Sequence, residues 1–147
     1  MTVHSLRTRT LLVIPIRLGL GLVWLLGARI AGASGGPALL AFAVGALGIA
    51  FLIFNDPRSR FMRAEVEPLE LPPGARVASR WRQALGASLP STVGVSILAA
   101  VAIATRPTLG ALLGGVCAGL GLAALFSLTR IEPGLYADPK TRVIYRS

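Results

Sequence analysis

Charged side chains are scarce in this chain. They make up 14% of its 147 residues, against about 25% in ordinary soluble domains, while 54% of the residues are hydrophobic. Three long stretches contain no charged residue at all: Ile30 to Asn55, Gln83 to Thr105 and Pro107 to Thr129. A helix needs about 20 mostly apolar residues to cross a hydrocarbon core of about 30 Å. The shortage of charge therefore predicts an integral membrane protein.

Cysteine and histidine are almost absent. The single cysteine, Cys117, excludes an internal disulfide and is interpreted as a small packing residue. His4 is the only histidine, on an N-terminal tail expected to be mobile, so no metal-ligand set, cofactor site or catalytic group is predicted. Asp56 and Glu132 follow two spans at equivalent places, but no nucleophile accompanies them. The sequence favours a protein that is not an enzyme.

The apolar segments also contain no Asp, Glu, Lys or His. Proton-coupled carriers usually depend on such a group inside the membrane, so this absence counts against a proton-driven transporter.

A fourth apolar stretch, Leu11 to Ala28, is interrupted only by Arg17. We therefore expect an all-α membrane fold of four transmembrane helices, arranged as two antiparallel hairpins over residues 11–54 and 89–129.

The basic residues predict the orientation. The net charge is +9, and most arginines flank the apolar spans, whereas Arg29 and Arg106 are the only ones near the two short links within the hairpins. By the positive-inside rule, both termini and the middle loop are cytoplasmic at the inner (cell) membrane. Anionic lipid headgroups are the expected partner, and nucleic acid is not. The cytoplasmic segments are then residues 1–10, 55–88 and 130–147.

Two of these segments carry strand signals. The pattern predicts a short strand between Arg63 and Leu71, before Pro72-Pro73-Gly74. In the C-terminal tail, Asp138-Pro139 favours a turn, so the residues on either side can pair as a β-hairpin. A third strand from the middle loop would stabilise that hairpin. We expect a small cytoplasmic β element beneath the bundle.

Between the predicted strand and the third span, residues 75–89 have a helical pattern. Val77, Trp81, Leu85 and Leu89 recur every four residues, with arginines off that stripe. Such a helix lies in the headgroup region or extends the following span. Arg76, Arg80, Arg82 and Trp81 are therefore candidate headgroup or anion contacts. So is Arg17, which either reaches back to the headgroups or faces the interior.

The last span has a ridge of small residues spaced by four. Small residues at that spacing allow another backbone to approach closely, within one bundle or between subunits. The candidate packing residues are Gly110, Gly114, Gly115, Ala118 and Gly119.

These features favour a non-enzymatic accessory or scaffold subunit. It would pack with membrane partners through glycine-rich faces. The alternative is a small homo-oligomeric channel or transporter with its pathway between protomers. A homo-oligomer or a membrane-protein partner is expected in either case.

Overall fold

Helices and one small sheet make up the computed structural model, which describes residues 2–56, 67–138 and 143–147. The helices are α1 (Leu6–Ile30), α2 (Gly35–Asn55), α3 (Arg80–Ser88), α4 (Ser91–Thr105) and α5 (Pro107–Leu128). The strands are β1 (Thr2–Ser5), β2 (Leu69–Glu70), β3 (Arg76–Val77), β4 (Leu135–Ala137) and β5 (Ile144–Arg146).

Three of the described helices, α1, α2 and α5, are long and apolar enough to cross a membrane. The shorter helices α3 and α4 pass the same test only as a pair, and they are bent by 52° at the break between them. The mostly helical fold with membrane-length helices agrees with the predicted membrane class. The third predicted span is present only as this bent pair, so four straight spans are not what the structure has.

The bend between α3 and α4 has a local cause at Pro90. Proline has no N–H, so it cannot close the helical hydrogen bond to the carbonyl four residues earlier. The last bond of α3 runs from the Leu89 N–H to the Leu85 carbonyl at 3.0 Å. Helix α4 then starts afresh, with the Gly94 N–H donating to the Pro90 carbonyl at 2.8 Å. Carbonyls in the last turn of α3 are left to find other donors.

Helix α5 lies at the centre of the bundle. Half of its most apolar stretch (50%) is buried, against 17% in α1 and in α2. It packs along α1 and α2 and also contacts α4, whereas α1 and α2 contact each other far less. The two predicted hairpins are therefore not separate packing units, because both are joined through α5.

The five strands among the described residues form one sheet in the order β2-β5-β4-β1-β3. As expected for the C-terminal tail, β4 and β5 pair antiparallel, with Tyr136 opposite Tyr145. The turn residues 139–142 lie outside the described part of the chain. The sheet packs on the start of α1 and on the segment that follows α5 through a small apolar core: Leu6, Ile131, Leu135, Ala137 and Ile144.

The N-terminal tail is not the mobile segment that the sequence predicted. Residues Thr2–Ser5 form β1, which pairs with β4 on one side and with β3 on the other. Val3 is fully buried there, and its carbonyl accepts the Ala78 N–H at 2.9 Å. These contacts join the tail to distant parts of the chain.

The strand and the helix predicted in the middle loop have different bounds in the structure. Of the proposed strand at 63–71, residues 63–66 lie outside the described residues, while Leu69–Glu70 pairs with β5. The helix predicted over 75–89 begins only at Arg80, because Arg76–Val77 is a strand beside β1. Ser79 caps that helix by accepting the Arg82 N–H at 3.5 Å.

Candidate functional site

Arg17 faces the interior of the bundle. Its Nε donates to the Thr92 hydroxyl at 3.0 Å, Nη1 to the Leu120 carbonyl at 3.3 Å, and Nη2 to the Ala87 carbonyl at 3.1 Å. One side chain thereby joins α1 to α3, α4 and α5. Of the two orientations that the sequence left open, this is the interior one.

The break at Pro90 creates the position that Arg17 fills. In an unbroken helix the Ala87 carbonyl would accept the N–H of the fourth residue onward, but α3 ends at Ser88. Helix α5 comes close enough for its Leu120 carbonyl to accept from Arg17, because Gly121 lies against the base of the Arg17 side chain. A Cβ added at Gly121 would lie 3.2 Å from the Arg17 Cβ. The guanidinium therefore satisfies backbone oxygen that the bend leaves free.

A second polar contact joins α1 to α4 further along the two helices. The Trp24 Nε1 donates to the Ser96 hydroxyl at 3.2 Å, about two turns beyond Arg17 on α1. Cys117 of α5 is fully buried, and its thiol interacts with Ser96. The interface of α1 with α4 is thus held by hydrogen bonds as well as by packing.

A small cavity of about 30 Å³ opens beside Arg17. Its polar lining comes from α1, as Arg9, Thr10 and Arg17, and the rest includes Ala87 of α3 and Ala124 of α5. The Nε of Arg9 is buried and has no hydrogen-bond partner among the described residues. The cavity walls are mostly apolar, and the two charged side chains that line them are both arginines.

His4 lies close to this cavity, at the junction of the sheet with α3. Its Nδ1 is buried without a partner among the described residues, and its ring faces Gly86. Burial lowers the pKa of His4 below its ordinary 6.5, and the charge of Arg9 lowers it further, while Asp138 acts in the opposite direction. The imidazole is therefore neutral at physiological pH.

The ridge of small residues in α5 is used inside the chain. A Cβ on Gly114 would lie 2.9 Å from the Trp24 Cβ of α1, and Ala118 contacts Gly21 of the same helix. A Cβ on Gly115 or Gly119 would collide with backbone carbonyls of α2, and one on Gly110 with Ile103 of α4. The ridge holds α5 against the other helices of its own bundle.

The remaining predicted contacts lie elsewhere, on the surface. Arg76 is exposed on β3, and Arg80 and Arg82 are exposed on α3. Trp81 is 72% exposed, and so the apolar stripe of α3 points outward while Gln83 and Ala87 point inward. The structure does not bring these four residues together with Arg17.

The sequence alone did not identify Thr92 as a hydrogen-bond partner of Arg17, or Arg9 as a second arginine of the same cavity. Thr92 is 1% exposed, although it lies in a stretch that the sequence presents as uniformly apolar. The sequence feature that could have indicated these polar contacts was Pro90. A proline inside an apolar segment leaves backbone hydrogen-bonding groups without their helical partners, and another helix must then satisfy them.

The chemistry of this region is that of a donor site. Among residues 2–56, 67–138 and 143–147, no group of three His, Cys, Asp or Glu side chains is placed to hold a metal ion. The groups around the cavity that carry charge are guanidiniums, which suit an anion or an acceptor-rich group. Compared with protein-family models, curated protein sequences and solved structures, the chain shows no significant match.

Proposed function

We propose that this chain is a small membrane-embedded accessory or scaffold subunit without catalytic activity. The observation that carries the proposal is the packing of α5. Its glycines are in close contact with α1 and α2 along the middle of the bundle, so those interfaces leave no room for a solute. We therefore assign the role of the protein to the outer surface of the bundle. The channel alternative, whose pathway lies between protomers, is separated from this role by the oligomeric state.

The outer surface is apolar and offers contact to lipid or to another membrane protein. On α2, for example, Leu40, Leu47 and Phe51 are each about two-thirds exposed, at 67%, 68% and 69%. The open small positions along the helices include Gly19 of α1, Gly48 of α2 and Gly94 of α4, where an added Cβ would meet nothing within 4 Å. Small residues at open positions favour close approach of a second helix.

The basic end supports an orientation. The sheet gathers both ends of the chain and the described part of the middle loop on one side of the bundle. That side carries the exposed Arg76, Arg80 and Arg82 together with Trp81. Arginine and tryptophan at this level are typical of the cytoplasmic headgroup region. In this proposal the sheet lies in the cytoplasm.

The test is the composition of the assembly in mild detergent, measured by native mass spectrometry. We expect the full chain to occur in a complex of fixed stoichiometry with another membrane protein. Gly48→Leu or Gly94→Leu should remove the partner and leave the melting temperature unchanged, since neither site is packed. Gly36→Leu, at an equally open position at the start of α2, is the matched control and should keep the complex.

Two other results would count against the accessory role. A discrete homo-oligomer that conducts ions in planar bilayers would replace it with the channel alternative. A monomer without a partner, in detergents that preserve membrane complexes, would contradict both functions.

A further inference from the structure

We infer that the cavity between Arg9 and Arg17 binds a phosphate group, carried by an acidic phospholipid or as free phosphate. This site does not depend on the partner-binding role proposed above, because it lies inside one protomer at the junction of α1, α3 and α5.

The positive charge at this site is uncompensated. Arg9 and Arg17 lie eight residues apart on α1, about 12 Å along the axis, and both line the same cavity. Among the described residues, neither guanidinium has a carboxylate within ion-pair distance. Buried or half-buried charges in proteins are normally paired. An anion from outside the chain would supply the missing charge.

The two arginines also have unused hydrogen-bond donors. The Nε–H of Arg9 is out of contact with solvent and without an acceptor, which is costly for a charged group. Arg17 has five N–H donors, of which three bind protein oxygens, so two remain. Phosphate oxygens accept several such bonds at once, and arginine is the side chain best matched to them.

The size and the surroundings of the cavity agree with a bound phosphate group. A volume of about 30 Å³ exceeds the roughly 10–15 Å³ that one water needs, so the cavity admits more than a single water. Its remaining walls are apolar, including Leu6 and Val13. Arg9 lies in the first turn of a membrane-length helix, at the end that carries the sheet, and Arg17 lies about three turns in. The level of Arg9 is the one at which acidic headgroups accumulate.

The hydroxyl of Ser88 and the Oε1 of Gln83 are also buried without partners among the described residues. Gln83 Oε1 is an acceptor and does not favour an anion. Its Nε2 donates to the Ala78 carbonyl at 2.7 Å, which fixes the amide. A water bound to the Arg9 Nε–H is the outcome that the experiment must separate from phosphate.

The experiment is native mass spectrometry of the delipidated full chain, titrated with phosphatidylglycerol, with diacylglycerol, which has the same acyl chains but no phosphate, and with inorganic phosphate. Wild type should retain one phosphatidylglycerol in preference to diacylglycerol if a lipid supplies the phosphate. If free phosphate is the source, inorganic phosphate should bind and protect the fold while neither lipid is preferred. Equal retention of both lipids together with no phosphate binding would leave a water-filled cavity and overturn the inference.

The variants locate the site. Arg9→Gln should weaken binding by at least about tenfold, the loss expected for charge-assisted hydrogen bonds. Arg7→Gln is the matched control, because Arg7 is exposed two residues away and the change in net charge is the same. An equal loss in both variants would indicate a diffuse basic surface and contradict a built site.

A second substitution covers the case in which Arg9→Gln does not fold. Ala124→Leu narrows the cavity and leaves every charge in place. It should remove phosphate binding, whereas Ala100→Leu on the exposed side of α4 should not. Undiminished binding by a folded Ala124→Leu protein would also contradict the inference.

Discussion

The Nη2 of Arg17 lies 3.1 Å from the carbonyl oxygen of Ala87, and this hydrogen bond joins α1 to the last turn of α3. A charged residue inside a membrane helix is expensive unless its donors find partners. The bend at Pro90 supplies such partners, because it frees a carbonyl that a continuous helix would use. Arg17 in α1 and the bend between α3 and α4 therefore depend on each other: the bend frees the carbonyl, and the guanidinium of Arg17 satisfies it.

Arg17→Lys should destabilise the protein, although it keeps the charge. A lysine has one nitrogen and cannot reach Thr92, Leu120 and Ala87 together, and so at least one hydrogen bond to a charged group is lost. We expect a loss of about 2 kcal/mol or more in the free energy of unfolding. The measurement is unfolding in mixed micelles.

Two further variants separate this network from a general effect of charge. Arg106→Lys, at an exposed arginine, should be close to neutral. Thr92→Val should cost less in an Arg17→Lys background than in wild type, since the two residues share a hydrogen bond. Additive losses would show that Arg17 does not act through Thr92.

Gly115→Ala should prevent the native bundle from forming. A Cβ there would collide with the Phe42 backbone, which cannot give way as a flexible side chain can. Gly94→Ala is the control in α4, where an added Cβ meets nothing within 4 Å. It should be neutral or gain up to about 1 kcal/mol from helix propensity. Thermal melting in detergent compares the two, and similar melting temperatures would contradict the central position of α5.

Some parts of the fold and of the Arg17 site can be predicted from the sequence, and others cannot. The charge-free stretches predict apolar helices because the bilayer requires them, and the antiparallel pairing of β4 with β5 follows from a tail with a turn in its middle. The β1 strand could not be foreseen, since four residues carry little periodicity and pair with Arg76 and Ala137, far along the chain. The partners of Arg17 depend on the rotation of α1, which the sequence does not specify.

Stability should fall as the pH drops below about 6.5. The pKa of His4 is lowered in the folded protein by burial, and then by Arg9, relative to its ordinary 6.5. The unfolded chain therefore binds the proton first, and stability is lost from pH 6.5 down to the folded-state pKa. Melting between about pH 8 and about pH 5.5, above the ordinary range of carboxylates, measures this.

The matched variant is His4→Asn, which removes the titrating group. Its melting temperature should depend on pH less than that of wild type across the same interval. An unchanged dependence would assign the effect to another group.

Ile144→Ala should loosen the sheet without dispersing the helices. The side chain is 1% exposed in the small apolar core, and truncating such a residue costs about 2–5 kcal/mol. Amide hydrogen exchange should become faster in β4 and β5, while α5 keeps its protection. Val77→Ala, at a half-exposed residue of the edge strand β3, is the control and should change little. Uniformly faster exchange in every helix would mean that sheet and bundle unfold together.

The account depends most on a membrane bundle whose sheet lies on the cytoplasmic side. In a Cys117→Ser background, a single cysteine is placed at Ser34, in the link between α1 and α2, or at Ser147, after β5; both positions are exposed. An impermeant thiol reagent applied to intact cells should label Ser34→Cys, and should label Ser147→Cys only after the membrane is opened. Labelling of Ser147→Cys in intact cells, with Ser34→Cys protected, would contradict the account.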